Sequence, residues 1–154
     1  MTTNQSIENA MTVAIEEAKA ALAKGEFPYG AVVIDSNGEI VSRAHDTVAT
    51  NSDPIRHAEI DAIRMAIKTL GMDLSGHTLV CTAEPCSMCS SAAWWAGIRK
   101  VIFSVSMLEL KELVPDSMTE ALGPLEELNK TLNDKIVIKT GVMREEALGL
   151  WGLK

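Results

Sequence analysis

Two short runs hold the residues best suited to chemistry: His57-Ala58-Glu59 and Pro85-Cys86-Ser87-Met88-Cys89, with His57 and Cys86 separated by 29 positions. One imidazole and two thiolates are the ligands that zinc(II) takes, and a catalytic zinc keeps three protein ligands and leaves a fourth position to water. Glu59 stands two residues beyond the histidine, close to such a water without being needed as a ligand, where a proton shuttle would sit. Two thiolates cancel the charge of the ion, yet the water is still acidified towards a pKa of roughly 7. Glu59 would then take the water proton, pass it to a ring nitrogen and later protonate a leaving amine. That order of transfers is hydrolytic deamination of an aminated ring.

Each of these residues also has a plainer role. His57 can simply open a helix, Glu59 can be a first-turn carboxylate favoured by the helix dipole, and Cys86 with Cys89 can be a redox pair or a structural zinc clip. Taken together the plain roles fit less well. A structural zinc wants a fourth protein ligand, and the remaining candidates, His45, His77 and Cys81, do not stand at a suitable spacing. A redox pair leaves the His-x-Glu unexplained.

The surrounding pattern supplies elements able to position the two runs. From Ser6 to Lys24 apolar residues recur at three and four, predicting a helix that ends at Gly25. Ala31–Ile34 and Glu39–Arg43 read as strands joined through Asn37-Gly38. Asp53-Pro54 reads as an N-cap and first-turn proline, so a helix is expected from there, burying Ile60, Ile63, Ala66, Ile67 and Leu70. Thr78–Thr82 is a buried strand, Pro85 opens a helix running to Ala96, and Lys100–Ser104 is another strand. Short helices are expected in Leu108–Leu113 and Ser117–Leu132, a fifth strand at Ile136–Ile138, and a last helical piece from Met143 towards Trp151. Strands alternating with helices in this way predict an α/β sandwich, with both helix starts above the carboxyl ends of neighbouring strands. Two such starts on one ion would favour thiolates through their positive ends.

A chain of 154 residues fits one domain over 1–154. Its apolar content of 47% is ordinary for a soluble protein, and no apolar run reaches the roughly 18 to 20 residues of a membrane span. The N-terminus lacks the basic and apolar pattern of a secretory signal, and three cysteines suggest no disulfide framework, so a cytoplasmic location is expected. A net charge of −7, with Arg144 and Lys154 the only cations after Gly141, argues against nucleic acid as a partner.

Asp53-Pro54-Ile55-Arg56-His57-Ala58-Glu59-Ile60, with Thr82-Ala83-Glu84-Pro85-Cys86-Ser87-Met88-Cys89, resembles the cytidine deaminase superfamily. Within it the chain is most similar to the branch holding bacterial guanine deaminases and tRNA adenosine deaminases, from about Ile7 to Ser104. The resemblance implies a three-layer α/β/α sandwich with a five-stranded mixed sheet, one zinc per subunit held by His57, Cys86 and Cys89, Glu59 as the catalytic shuttle, and a homodimer with its sites near the subunit contact. It also implies that Ala58 offers its backbone NH to substrate, and that Tyr29 and Trp95 are base contacts. Tyr29 can equally be a core aromatic, and Trp94 is better read as a core or dimer contact.

Two positions depart from the pattern. Where the family places a base-contacting Asn, this chain has Asp46, and an ionised Asp only accepts hydrogen bonds. Asp46 therefore favours a substrate edge that presents NH groups, although it can also cap a loop. The Phe-Asp-Asp run of guanine deaminases has its nearest counterpart in Val114-Pro115-Asp116-Ser117, which makes Asp116 a candidate substrate contact beside the plainer reading of an exposed loop acid. The expected activity is deamination of a small aminated heterocycle, with guanine or a related aminopurine favoured. Cytosine-, pterin- or triazine-like bases, tRNA adenosine, and an inactive zinc-stabilised interaction module are the alternatives.

Overall fold

The computed structural model describes residues 2–115 and 124–153. The first helix, α1 (Asn4–Ala23), is opened by a reciprocal cap between Thr3 and Ser6 and buries Ile7, Met11, Ala14, Ile15 and Ala18 along one stripe. It leads to β1 (Gly30–Ile34) and β2 (Ile40–His45), whose connection is closed by Asp35 Oδ1 accepting from the NH groups of Asn37 and Glu39. There follow α2 (Val48–Asn51), α3 (Ala58–Leu70), β3 (Thr78–Ala83), α4 (Ser87–Trp95), β4 (Lys100–Val105), α5 (Met107–Leu113), α6 (Leu125–Thr131), β5 (Val137–Lys139) and α7 (Arg144–Gly149).

The five strands form one sheet in the order β2-β1-β3-β4-β5. β1 runs antiparallel to both β2 and β3, while β3, β4 and β5 are parallel, so the sheet is mixed as expected. Alternation along the strands divides the core in two. Val32, Ile34, Val80 and Ile102 meet α1 and Leu150 on one face, whereas Ala31, Val33, Leu79, Cys81, Val101 and Phe103 meet the layer of α3, α4 and α6 on the other. The result is the three-layer α/β/α sandwich.

Gly30 shows how closely the layers approach. A Cβ there would lie 1.8 Å from the carbonyl oxygen of Ala14, so only glycine lets α1 pass over the start of β1.

Two helix starts differ from expectation, and both differences matter for the site. The helix predicted from Asp53 begins only at Ala58, because Asp53 Oδ1 accepts from the Ile55 NH and its carbonyl accepts from the Arg56 NH, which makes a separate turn. The helix predicted from Pro85 begins at Ser87. His57 and Cys86 thereby become the N-caps of α3 and α4, both with extended backbones. The buried face of α3 also shifts: Glu59, Asp61 and Ala62 join Ile63 and Ala66 inside, while Leu70 is exposed. The chain between β2 and Asp53 contains the short helix α2, and Asp116 falls outside the described residues.

Candidate active site

Two chain segments meet beyond the carboxyl end of β3. Ala83 ends that strand, Glu84 and Pro85 turn the chain, and Cys86 caps α4 with Cys89 in its first turn. From the other side α3 brings His57. Its Nδ1 lies 3.7 Å from Cys86 Sγ and 3.5 Å from Cys89 Sγ, and the donor atoms of all three residues lie within 4.8 Å of one another. Zinc bonds of about 2.3 Å to sulfur and about 2.1 Å to nitrogen, set at tetrahedral angles, would separate donors by roughly 3.6 Å. The geometry therefore fits a zinc ion held by His57 Nδ1 and the two sulfurs.

Electrostatics agree with that donor set. The hydrogen bond with Cys89 brings the Cys86 thiol down to about 4, helped by His57 and resisted by burial, while Cys89 moves the opposite way. Cys86 is thus a thiolate at the positive end of a nine-residue helix.

Glu59 projects from the first turn of α3 into the interior, with Oε2 3.6 Å from Cys89 Sγ. Only 6% of it is exposed, and burial pushes its carboxyl up to about 7. Ala58 is fully buried at the first position of α3, where the backbone NH has no acceptor within its own helix. Tyr29 sits just ahead of β1, and its carbonyl accepts from the Asp46 NH at 3.1 Å. Burial raises the Tyr29 hydroxyl well above its ordinary range, and the charges of Glu59, Asp46 and Cys86 raise it further. Asp46 is buried, with Oδ1 accepting from the Val48 NH at 3.0 Å. The structure thus puts Ala58 and Glu59 beside the triad, while Tyr29 and Asp46 are joined to each other at the entrance of β1.

Trp95 is not brought there. It ends α4 with 85% of its surface exposed, while its neighbour Trp94 packs on the core under the Arg99 guanidinium, 3.5 Å from the ring centroid.

Two residues that sequence reasoning passed over support the site. Glu84 is buried and accepts from the Met107 NH at 2.8 Å and the Leu125 NH at 3.2 Å, which ties the turn before Cys86 to the starts of α5 and α6. Its signal was an acid directly before Pro-Cys, at the end of an apolar strand. Trp151 packs edge-on against Tyr29, with centroids 5.5 Å apart, and stacks near Phe27. Nothing local in the sequence announced that contact.

The family model for the cytidine and deoxycytidylate deaminase zinc-binding region matches residues 4–105. The chain belongs to this family. It is a zinc-dependent hydrolytic deaminase, and His57, Cys86 and Cys89 are its metal-binding group. That membership decides for an enzyme over an inactive zinc-stabilised module. The deaminase is 38% identical over 143 residues to the tRNA-specific adenosine deaminase of Bacillus subtilis (strain 168), covering 91% of this chain and 83% of the relative. It is 47% identical over 95 residues to the tRNA-specific adenosine deaminase of Aquifex aeolicus (strain VF5), a match that covers 61% of this chain and 62% of that relative. Among solved structures, the guanine deaminase from Nitrosomonas europaea superposes with a TM-score of 0.83 at 25% identity, covering 97% of this chain and 83% of that one.

Proposed function

We propose that the deaminase acts on a small aminated nucleobase, with guanine or a related aminopurine as the leading substrate. What supports this reading is Glu59, a buried proton carrier 3.6 Å from Cys89 Sγ, with the Tyr29 ring and the buried Asp46 near enough to it and the triad for their charges to act on one another. The fold likeness to a guanine deaminase supports it.

When bound, zinc supplies a Lewis acid that makes a water nucleophilic near neutral pH. The Glu59 carboxylate takes a proton from the attacking water, delivers it to a ring nitrogen, and then carries the second proton to the exocyclic amine. One water is consumed, the ring carbon gains an oxygen, and ammonia leaves. The Ala58 NH holds the substrate at a carbonyl or ring nitrogen, Tyr29 packs against the ring, and Asp46 reads its polar edge. Trp95 reaches a base only across a subunit contact, and its exposure suits the homodimer proposed with it. Asp116 remains a candidate contact on sequence grounds.

An ammonia-release screen of the zinc-loaded protein over free bases, nucleosides, pterins and triazines tests the assignment. Turnover of guanine or another aminopurine above the other classes is expected, and preference for any other class would overturn it.

One observation favours tRNA adenosine as the second reading. A cleft of about 410 Å³ between β2 and α3 is lined by Arg43, Arg56, Arg64 and Lys68 against Glu17 and Asp61, so a locally basic surface lies next to the segment leading to His57. The two curated relatives described above have tRNA-specific names. Tight binding of tRNA in a gel-shift assay, with inosine formed in it, would replace the free-base assignment. A cytoplasmic location belongs to either reading.

A further inference from the structure

Thr47 stands at the N-cap of α2, where a threonine hydroxyl ordinarily accepts from an amide of its own helix. It makes no such bond. The hydroxyl donates instead to Asp61 Oδ2 at 3.2 Å, and the Thr47 NH donates to the Arg56 carbonyl at 3.1 Å. Arg56 closes the ring, because its Nε donates to Asp61 Oδ1 at 2.8 Å and lies 3.1 Å from Oδ2. Thr47, Arg56 and Asp61 are therefore each bonded to the other two.

The places of these residues in the chain give the ring its consequence. Thr47 directly follows Asp46, and Arg56 directly precedes His57. Asp61 lies in the first turn of α3, where its NH donates to the His57 carbonyl at 3.1 Å. The helix dipole favours a first-turn acid whatever its side chain touches, and that plainer role needs neither Thr47 nor Arg56. The ring also differs from a surface ion pair, which contributes little. The Asp61 side chain is only 12% exposed, and a buried carboxylate that loses a partner is strongly destabilised. The amides of α2 do not depend on the ring, since Asp46 Oδ1 accepts from Val48 and Glu26 accepts from Ala49 and Thr50. What the ring adds is a link between two segments, one leaving β2 and one entering α3.

We propose that Asp61 is a positioning residue: through Arg56 it fixes the backbone that presents the zinc ligand His57, and through Thr47 it ties the Asp46 loop to that same backbone. Metal ligand and substrate edge are thereby held in one register. The loop half rests on the reading of Asp46 as a substrate contact, whereas the metal half rests on the His57, Cys86 and Cys89 group alone.

The two halves are read separately. Asp61→Asn keeps the shape of the side chain and replaces one acceptor oxygen by a donor; Arg56→Gln removes the guanidinium at a side chain 35% exposed. In competition with a chromophoric chelator, zinc affinity should fall about tenfold or more in both, and the visible absorption bands of their cobalt(II)-loaded forms should shift from those of the wild-type protein. Thr47→Val removes only the hydroxyl link. It should keep wild-type zinc affinity and raise KM about fivefold, with kcat within about twofold, for the free base that the wild-type protein turns over fastest, and Thr47→Ser should restore KM. Wild-type zinc affinity and cobalt bands in whichever of Asp61→Asn and Arg56→Gln folds overturn the proposal, even where the melting temperature falls. An unmoved KM in Thr47→Val overturns the tie to the loop if Asp46→Asn changes the relative rates across the bases. If Asp46→Asn leaves those rates unchanged, the reading of Asp46 as a contact fails instead, and the zinc and cobalt measurements alone decide the role of Asp61.

Discussion

Glu84 shows how much one side chain can hold. It lies between the end of β3 and Cys86, and its two oxygens close the first turns of α5 and α6 through the Met107 and Leu125 amides. An alanine there would leave two buried NH groups without their acceptor, each costing about 1–3 kcal/mol. Glu84→Ala is therefore expected to lower unfolding stability by about 2–4 kcal/mol in urea titration, and to loosen the Cys86 turn enough to weaken zinc retention. A loss below about 0.5 kcal/mol, the size of an ordinary surface change, would remove Glu84 from this role. Tyr29 and Asp46 are proposed to act on a different footing: as substrate contacts, their changes should alter substrate choice before stability.

At the scale of elements, the close crossing of α1 over β1 sets the register that carries Tyr29 to the site. Gly30→Ala puts a methyl group into the Ala14 carbonyl, and because backbone cannot yield as a side chain does, destabilisation of about 1–3 kcal/mol is expected in thermal unfolding. An unchanged midpoint would show that α1 can shift freely. Most elements were legible because their periodicity is strong: the α1 stripe, the apolar runs of β1, β3 and β4, and the glycine after α1 all stand where the sequence places them. Helix starts were harder to read. Proline fits a first helical turn and a preceding turn equally well, so Pro54 and Pro85 pointed several residues too early at α3 and two too early at α4, where extended His57 and Cys86 are the caps. α2 was illegible because four residues are too few for a periodic signal, and its holding acids come from Glu26 and Asp46 outside it. The triad, and the position of Glu59 beside it, were legible because ligand chemistry restricts residue type and spacing together. The exposure of Trp95 was not, since one sequence does not reveal which face of a helix end stays uncovered.

The whole molecule should respond to acid through pairs that join its layers. Glu17 of α1 pairs with Arg43 and His45 of β2, and although burial raises its carboxyl, the hydrogen bonds from His45 and Arg43 hold it below the ordinary carboxylate range. A depressed folded pKa stabilises the protein above the unfolded value, roughly 4.3 for Glu, and that stability is lost as pH falls through the folded value. Wild-type protein should therefore lose stability towards acid more steeply than Glu17→Gln when unfolding midpoints are followed between about pH 7 and pH 3. Parallel curves would show that this α1–β2 pair contributes nothing measurable.

The central claim is that zinc binding and proton transfer are divided between the triad and Glu59. It is tested most directly by measuring bound zinc and ammonia release side by side in Glu59→Ala and in the wild-type protein. The account predicts full zinc content with turnover reduced by about 10²- to 10⁴-fold or more. Wild-type turnover in the zinc-loaded variant would contradict it.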